Sequence, residues 1–109
     1  MTLNELKRYR SYCSELREIK HELNGGVSEE SSIWLLYRKN ELECRTKTIE
    51  RFVESIPDYK VYRAIKMYCI ESIGEGEKVP DWEDVAFRIG DGCTEGAIKQ
   101  RVSRYLKKN

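Results

Sequence analysis

The sequence predicts an all-α protein in which an N-terminal antiparallel helical hairpin precedes a module of three shorter helices. Apolar residues recur at spacings of three and four, as on one face of a helix, and no stretch alternates as a half-buried strand does. Only two prolines occur in 109 residues, so long helices can run without interruption. We assign residues 1–56 to the hairpin and residues 57–109 to the module, and we expect one compact unit.

The composition is that of a water-soluble globular protein. Hydrophobic residues make up 39% of the chain and charged residues 36%, which is too apolar for a disordered chain and too charged for a membrane protein. No apolar run approaches the roughly 20 residues that span a bilayer. The N-terminus lacks the basic start and apolar centre of a signal peptide. We therefore expect a cytoplasmic protein that makes no contact with membranes.

The first predicted helix runs from about Leu3 to Leu23. Thr2 and Glu5 have the spacing of a capping box, in which the hydroxyl and the carboxylate each bond a free backbone N–H. Asn24-Gly25-Gly26 ends the helix, because glycine adopts the left-handed backbone conformation at little cost. The apolar stripe of this helix comprises Leu6, Tyr9, Cys13, Leu16, Ile19 and Leu23.

The second predicted helix begins at Glu29 or Ile33 and ends near Ser55. Two helices with heptad-like stripes, joined by a short Gly-Gly loop, should pack as an antiparallel hairpin. The stripe of the second helix has apolar residues seven apart, namely Leu35, Leu42, Ile49 and Ile56.

An apolar cluster near the start of the second helix is wider than the hairpin needs. One interpretation is a surface for a partner, with a homodimer as the expected assembly; the alternative is that it covers the C-terminal module. The residues assigned to this partner surface are Trp34, Leu35, Leu36 and Tyr37.

The three-helix module begins after Pro57. Asp58 can cap a helix from Tyr59 to about Glu71, and the segment Ser72–Pro80, with two glycines, a proline and several charges, is typical of a loop. A short helix over Trp82–Ile89 follows, capped by Asp81. Its Ala86 should allow close crossing with the last helix.

A tight turn at Asp91–Cys93 follows Gly90 and leads to a last helix over Glu95 to about Lys107, which Thr94 can cap. Two short helices joined by a glycine-containing turn, the second one basic, are typical of a helix-turn-helix that reads DNA.

The charge is distributed unevenly along this module. Residues 71–95 contain eight acidic and two basic residues, whereas residues 96–109 contain five basic residues and no acidic one. The basic end should therefore face an anion.

The last helix should bury Ile98, Val102, Tyr105 and Leu106 and turn a polar, basic face outward. A glutamine can bond adenine, an arginine can bond guanine, and lysine and serine can hold phosphates. The backbone N–H groups after Thr94 would also favour a phosphate. The candidate DNA-binding residues are Thr94, Glu95, Lys99, Gln100, Arg101, Ser103, Arg104, Lys107 and Lys108.

Three segments resemble region 4 of bacterial sigma factors. Residues 94–108, TEGAIKQRVSRYLKK, resemble its recognition helix, which typically reads SEGTVKSRLSRAL. Residues 82–90, WEDVAFRIG, resemble the preceding helix, often EEIAxxLG, and residues 55–68 resemble the helix before that. The resemblance covers residues 54–108 and implies a helix-turn-helix on double-stranded DNA. By this resemblance, the positions that face DNA are Glu95, Lys99, Gln100, Arg101 and Arg104.

The chain departs from the family at two places. Gly90 and Ile98 are eight residues apart where the family has about six, and Ser72–Pro80 is longer than the family's link. Both differences can tilt the recognition helix, so the family's target sequence does not carry over. A leading helical hairpin resembles the architecture of small phage-encoded transcriptional regulators, including late-gene activators.

No catalytic or metal-binding pattern is visible. The sole histidine, His21, has no nucleophile or carboxylate at a recognisable spacing, and the four cysteines form no Cys-x-x-Cys pair. We expect no enzymatic activity, no metal and no cofactor.

Two alternative functions remain beside a DNA-binding regulator encoded by a phage or prophage. In the first, the sigma-like module engages bacterial RNA polymerase or another host protein through the acidic stretch 71–95. In the second, the chain is a small-terminase-like packaging protein, in which a helix-turn-helix is joined to helices that form rings.

Overall fold

The computed structural model describes residues 1–71 and 81–108. In these parts of the chain every regular element is a helix and none is a strand, which confirms the all-α class. The predicted loop Ser72–Pro80 lies outside the described residues. The elements are α1 (Leu3–Lys7), α2 (Tyr9–Asn24), α3 (Glu29–Glu54), α4 (Tyr59–Ile65), a π-helical segment (Lys66–Ile70), α5 (Trp82–Ile89) and α6 (Glu95–Lys108).

Side-chain caps begin the helices where the sequence predicts them. The Thr2 hydroxyl accepts a hydrogen bond from the Glu5 N–H, and the Glu5 carboxylate accepts one from the Thr2 N–H, both at 3.2 Å. Asp81 and Asp84 exchange the same pair of bonds at the start of α5. Asp58 begins α4 by accepting from two N–H groups of the first turn. These bonds satisfy donors that a first helical turn leaves unpaired.

The prediction of one continuous helix from Leu3 to Leu23 was wrong at Arg8. The Arg8 N–H bonds the Glu5 carbonyl at 3.2 Å, and the turn there separates α1 from α2. α1 packs on the π-helical segment, whereas α2 packs mainly along α3. The interruption therefore serves tertiary packing, because it places the fully buried Leu6 against the module.

The helix predicted to run from Tyr59 to Glu71 is α-helical only as far as Ile65. It continues as the π-helical segment, in which the Glu71 N–H bonds the Lys66 carbonyl five residues back at 2.8 Å. A π-helical turn is wider than an α-turn and leaves its last carbonyls exposed to other donors.

The guanidinium of Arg10, in α2, covers these carbonyls. It donates to the Tyr68 carbonyl at 2.6 Å, to the Met67 carbonyl at 3.0 Å and also to the Glu71 carbonyl. A cation at the C-terminal end of a helix also suits the helix dipole. Nothing in the spacing of the sequence predicted this contact, which joins residues almost sixty positions apart.

The two long helices run in opposite directions. Arg38 of α3 pairs with Glu15 of α2 at 2.9 Å, and Tyr9 of α2 donates to Glu50 of α3 at 2.6 Å. Residue numbers thus fall along α2 as they rise along α3. The radius of gyration is 16.7 Å, against about 13 Å for a compact chain of this length. The α2–α3 pair therefore extends beyond the rest of the fold.

Apolar side chains form two buried clusters. The smaller cluster lies between α2 and α3 and contains Leu16, Ile19 and Leu42. The larger cluster joins the start of the chain and the C-terminal half of α3 to the last three helices. Its fully buried members include Leu6, Val61, Ala64, Ile65, Cys69, Val85, Ile98 and Val102.

Candidate nucleic-acid interface

Helix α6 is anchored by one face. Ile98 and Val102 are buried against α4 and α5, while Tyr105 and Leu106 are half-buried. At the helix start the Thr94 hydroxyl accepts from the Ala97 N–H at 3.2 Å, as the sequence predicts. The position of the buried face fixes which residues of α6 point to solvent.

All nine candidate DNA-binding residues are exposed. Gln100 and Arg104 lie one turn apart on the side opposite the buried face, and Lys107 continues that side. Among residues 1–71 and 81–108, none of these three side chains has a hydrogen-bond or ion-pair partner. Their polar groups are therefore available to a ligand outside the chain.

Arg101 differs from the other candidates because the protein itself occupies its guanidinium. Its Nε and one terminal nitrogen lie 2.9 Å from the same carboxylate oxygen of Asp58. Burial of Asp58 would raise the pKa of its carboxyl group, but the bonds from Arg101 and from the backbone of α4 outweigh burial and lower it. Arg101 thus ties α6 to the start of α4, and its half-exposed side chain flanks the outer face.

The turn between α5 and α6 depends on left-handed backbone. Gly90, Asp91 and Gly92 have φ values of 72°, 55° and 69°. Glycine adopts this region freely, and aspartate is among the residues that tolerate it best. Three successive residues of this kind accommodate the longer turn and bring α6 back across α5, where the buried Val85 and Ala86 allow close packing.

A second basic surface lies beside this turn and was missed by the sequence analysis. Tyr59, Lys60 and Arg63 of α4 face Arg88 of α5 across a cleft that Ile89 and the acidic Asp91 also line, and which we call the α4–α5 cleft. The Lys60 amine lies 3.9 Å from the Cys93 sulfur, just before α6 begins. The available signal was the spacing of Lys60 and Arg63 on the side of α4 away from its apolar stripe.

The acidic residues of α5 gather at its N-terminus, where they favour the helix dipole. Asp81 and Asp84 are engaged in the capping box, whereas Glu83 is exposed. Phe87, on the same helix, is 85% exposed. Residues 72–80 of the acidic stretch 71–95 lie outside the described residues, whereas Glu71, Asp91 and Glu95 are exposed.

The predicted partner surface at the start of α3 is largely open. Trp34 is 75% exposed, Tyr37 69% and Leu36 46%, whereas Leu35 is half-buried against the smaller cluster. Ile33, which was not assigned to the surface, is 64% exposed. The structure thus places Leu35 on the inner side of α3 and adds Ile33 to the open side.

In the part of the chain that the structure describes, no three His, Cys, Asp or Glu side chains come together as metal ligands would. No helix of residues 1–71 and 81–108 combines the length and apolar character that crossing a membrane requires.

Comparison of the chain with protein-family models, with curated proteins and with solved structures finds no match.

Proposed function

We propose that the protein is a sequence-specific regulator of transcription that reads double-stranded DNA with α6. The observation that carries this proposal is the outer face of α6, where Gln100 and Arg104 stand exposed, one turn apart and without partners among the described residues. Glutamine and arginine are the side chains that read adenine and guanine in the major groove.

The arrangement of helices supports this reading. α4, α5 and α6 are interpreted as a helix-turn-helix module similar to sigma-factor region 4, and α2 with α3 as the leading hairpin. Small phage regulators have a comparable order, so we infer a phage or prophage gene and action in the bacterial cytoplasm. The proposal assigns no catalytic activity.

The basic residues around α6 fit the DNA backbone. Lys107 and Lys108 extend the outer face, Lys99 flanks it, and the α4–α5 cleft adds three cations beside the start of the helix. Phosphate contacts of this kind fix a protein on the duplex without reading its sequence.

Binding of the full chain to a duplex selected from a randomised library, followed by fluorescence anisotropy, tests the proposal. Arg104→Ala should weaken binding about 5- to 150-fold, since a bidentate base contact is worth about 1–3 kcal/mol. The matched control is Lys20→Ala, which removes the same charge from an exposed site on α2. Absence of duplex binding at low salt, or equal affinity of the two variants, would contradict the proposal.

One observation favours a second candidate, a module that engages RNA polymerase or another host protein. Phe87 is exposed beside the acidic start of α5, and a large exposed aromatic ring is typical of a protein contact. Phe87→Ala should abolish capture of that protein and leave DNA binding unchanged if this candidate is correct. If Phe87→Ala loses DNA binding but still captures the host protein, this second candidate is excluded.

A further inference from the structure

The outward side of α3 carries a continuous stripe of exposed residues along most of its length. The inner side is fixed by Leu42, Ile49 and Val53, which are buried. The opposite side follows spacings of four and three, the repeat by which helices pack against each other as coiled coils. Its exposed members are Ile33, Tyr37, Asn40, Cys44, Lys47 and Arg51.

The charges along this stripe are separated by sign. Glu29 and Glu30 lie at its beginning, and Lys47 and Arg51 lie toward its end. Among residues 1–71 and 81–108 none of these four side chains has an ion-pair partner. The α3 stripe is therefore acidic at its beginning and basic toward its end, and its apolar residues Ile33 and Tyr37 lie in the acidic half.

We infer that the α3 stripe is a homodimer interface in which α3 of one copy packs antiparallel against α3 of a second copy. In that arrangement Glu30 of each copy lies opposite Arg51 of the other, and Tyr37 lies opposite Cys44. Both pairings have their midpoint near Asn40, so the two-fold axis passes there. The same patch serves both copies, as a two-fold interface requires.

The exposed apolar residues at the start of α3 supply most of the area that such an assembly buries. Trp34 is 75% exposed, Tyr37 69%, Ile33 64% and Leu36 46%. With large side chains of about 150–250 Å² each, they expose on the order of 500 Å² per copy. In the antiparallel register they lie opposite residues 44–48 of the second copy, with Trp34 opposite Lys47, whose aliphatic stem covers apolar surface. The two copies with their charged flanks together approach the lower limit of stable interfaces, about 1,200 Å² in total.

The pairing of Glu30 with Arg51 about a point near Asn40 favours a second copy over an unrelated partner. A partner of different sequence would supply the complementary charges on its own surface. Binding such a partner would not require the charges of α3 to complement one another, whereas a two-fold pair of α3 helices does. Asn40 at that point supplies a polar contact of the kind that fixes register in coiled coils.

The dimer has a consequence that rests on the proposed function. Phe52 of α3 contacts Tyr105 of α6 with ring centroids 6.4 Å apart. Phe52 lies twelve residues beyond Asn40, or about 18 Å along the helix. The points at which the two α6 helices are anchored thus lie about 35 Å apart, measured along the paired α3 helices, close to one turn of B-form DNA.

Cysteine crosslinking of the full chain tests the register without DNA, so its outcome is independent of DNA binding. In a Cys44→Ser background, Asn40→Cys should form an intermolecular disulfide under mild oxidation, because the two copies of that residue meet at the axis. The matched control is Lys47→Cys in the same background, whose two copies lie about 20 Å apart, too far for a disulfide. Equal crosslinking of the two variants, or none for Asn40→Cys, overturns the proposed register.

Sedimentation equilibrium at high protein concentration tests the assembly itself. The unaltered chain should sediment as a dimer, and Tyr37→Glu should sediment as a monomer with an unchanged helical circular dichroism spectrum. Tyr37 is exposed, so this substitution leaves the buried core intact. A monomeric unaltered chain overturns the proposal, and so does a Tyr37→Glu variant that remains a dimer.

Discussion

Arg10 should contribute more to stability than its place on a charged helix suggests. Its guanidinium donates to the carbonyls of Met67, Tyr68 and Glu71, at the end of the π-helical segment. A hydrogen bond that involves a charged group is worth about 1.5–3 kcal/mol, and a buried acceptor left unpaired costs about 1–3 kcal/mol. Water can replace the exposed bond to Glu71, so we count only the two part-buried carbonyls. Arg10→Ala should then lower the free energy of unfolding by about 2–4 kcal/mol.

Urea denaturation followed by circular dichroism measures this change. Lys20→Ala is the matched control, since Lys20 is an exposed cation on the same helix and its removal should cost less than about 0.5 kcal/mol. Arg10→Lys should fall between the two, because lysine keeps the charge but lacks the forked donors. A loss for Arg10→Ala no larger than that for Lys20→Ala would show that the three carbonyls do not need the guanidinium, and the reasoning would be refuted.

Three further predictions concern thiol reactivity, pH and DNA site symmetry. Burial raises the pKa of the Cys69 thiol to about 12. A thiol reagent should therefore modify the exposed Cys44 in the folded protein, and Cys69 only after denaturant is added. Rapid modification of Cys69 in the folded protein would contradict its burial in the core. The pKa of Asp58 is lowered in the folded state, so its stabilising contribution is complete above its ordinary pKa of about 3.9 and is lost as the pH falls through the lower folded value. The difference in unfolding free energy between the unaltered chain and Asp58→Asn should therefore be constant near neutral pH and become smaller below about pH 4. Its size should be about 1 kcal/mol or less, because the ion pair is partly exposed. A difference that does not change with pH would exclude the ion pair as its source. Duplexes selected from a random library should contain inverted half-sites about 10–11 base pairs apart from centre to centre, and a single unrepeated site would argue against the two-fold arrangement.

Local sequence patterns predicted the helix starts well. The capping box at Thr2 and the caps at Asp58, Asp81 and Thr94 are confirmed, because each depends only on residues within one turn. Apolar periodicity likewise placed Leu42, Ile49 and Ile56 in the core, whereas Leu35 of the same stripe is half-buried.

Features that depend on distant contacts were not predictable in this way. No glycine or proline marks the interruption at Arg8, near which α1 and α2 both contact the π-helical segment while α2 also packs along α3. The π-helical segment ends against Arg10, a residue that is distant in sequence. Leu35 is a different case: it was assigned both to the apolar stripe and to the partner surface, and its helical phase turns it inward, as the stripe predicts.

The candidate site was predicted in part. Helical phase alone gave the exposure of Gln100 and Arg104, because a single strongly amphipathic helix fixes both faces. The ion pair of Arg101 with Asp58 and the α4–α5 cleft required the packing of α4 against α6, which no local pattern contains.

Selection of bound duplexes from a randomised library tests the central claim most directly, when the unaltered chain is compared with Gln100→Ala and Lys107→Ala. The account predicts a defined sequence for the unaltered chain, loss of preference at one base pair for Gln100→Ala, and weaker binding with an unchanged preference for Lys107→Ala. No enriched sequence for the unaltered chain, or the same preference at every position for Gln100→Ala, would contradict the reading of DNA by this face of α6.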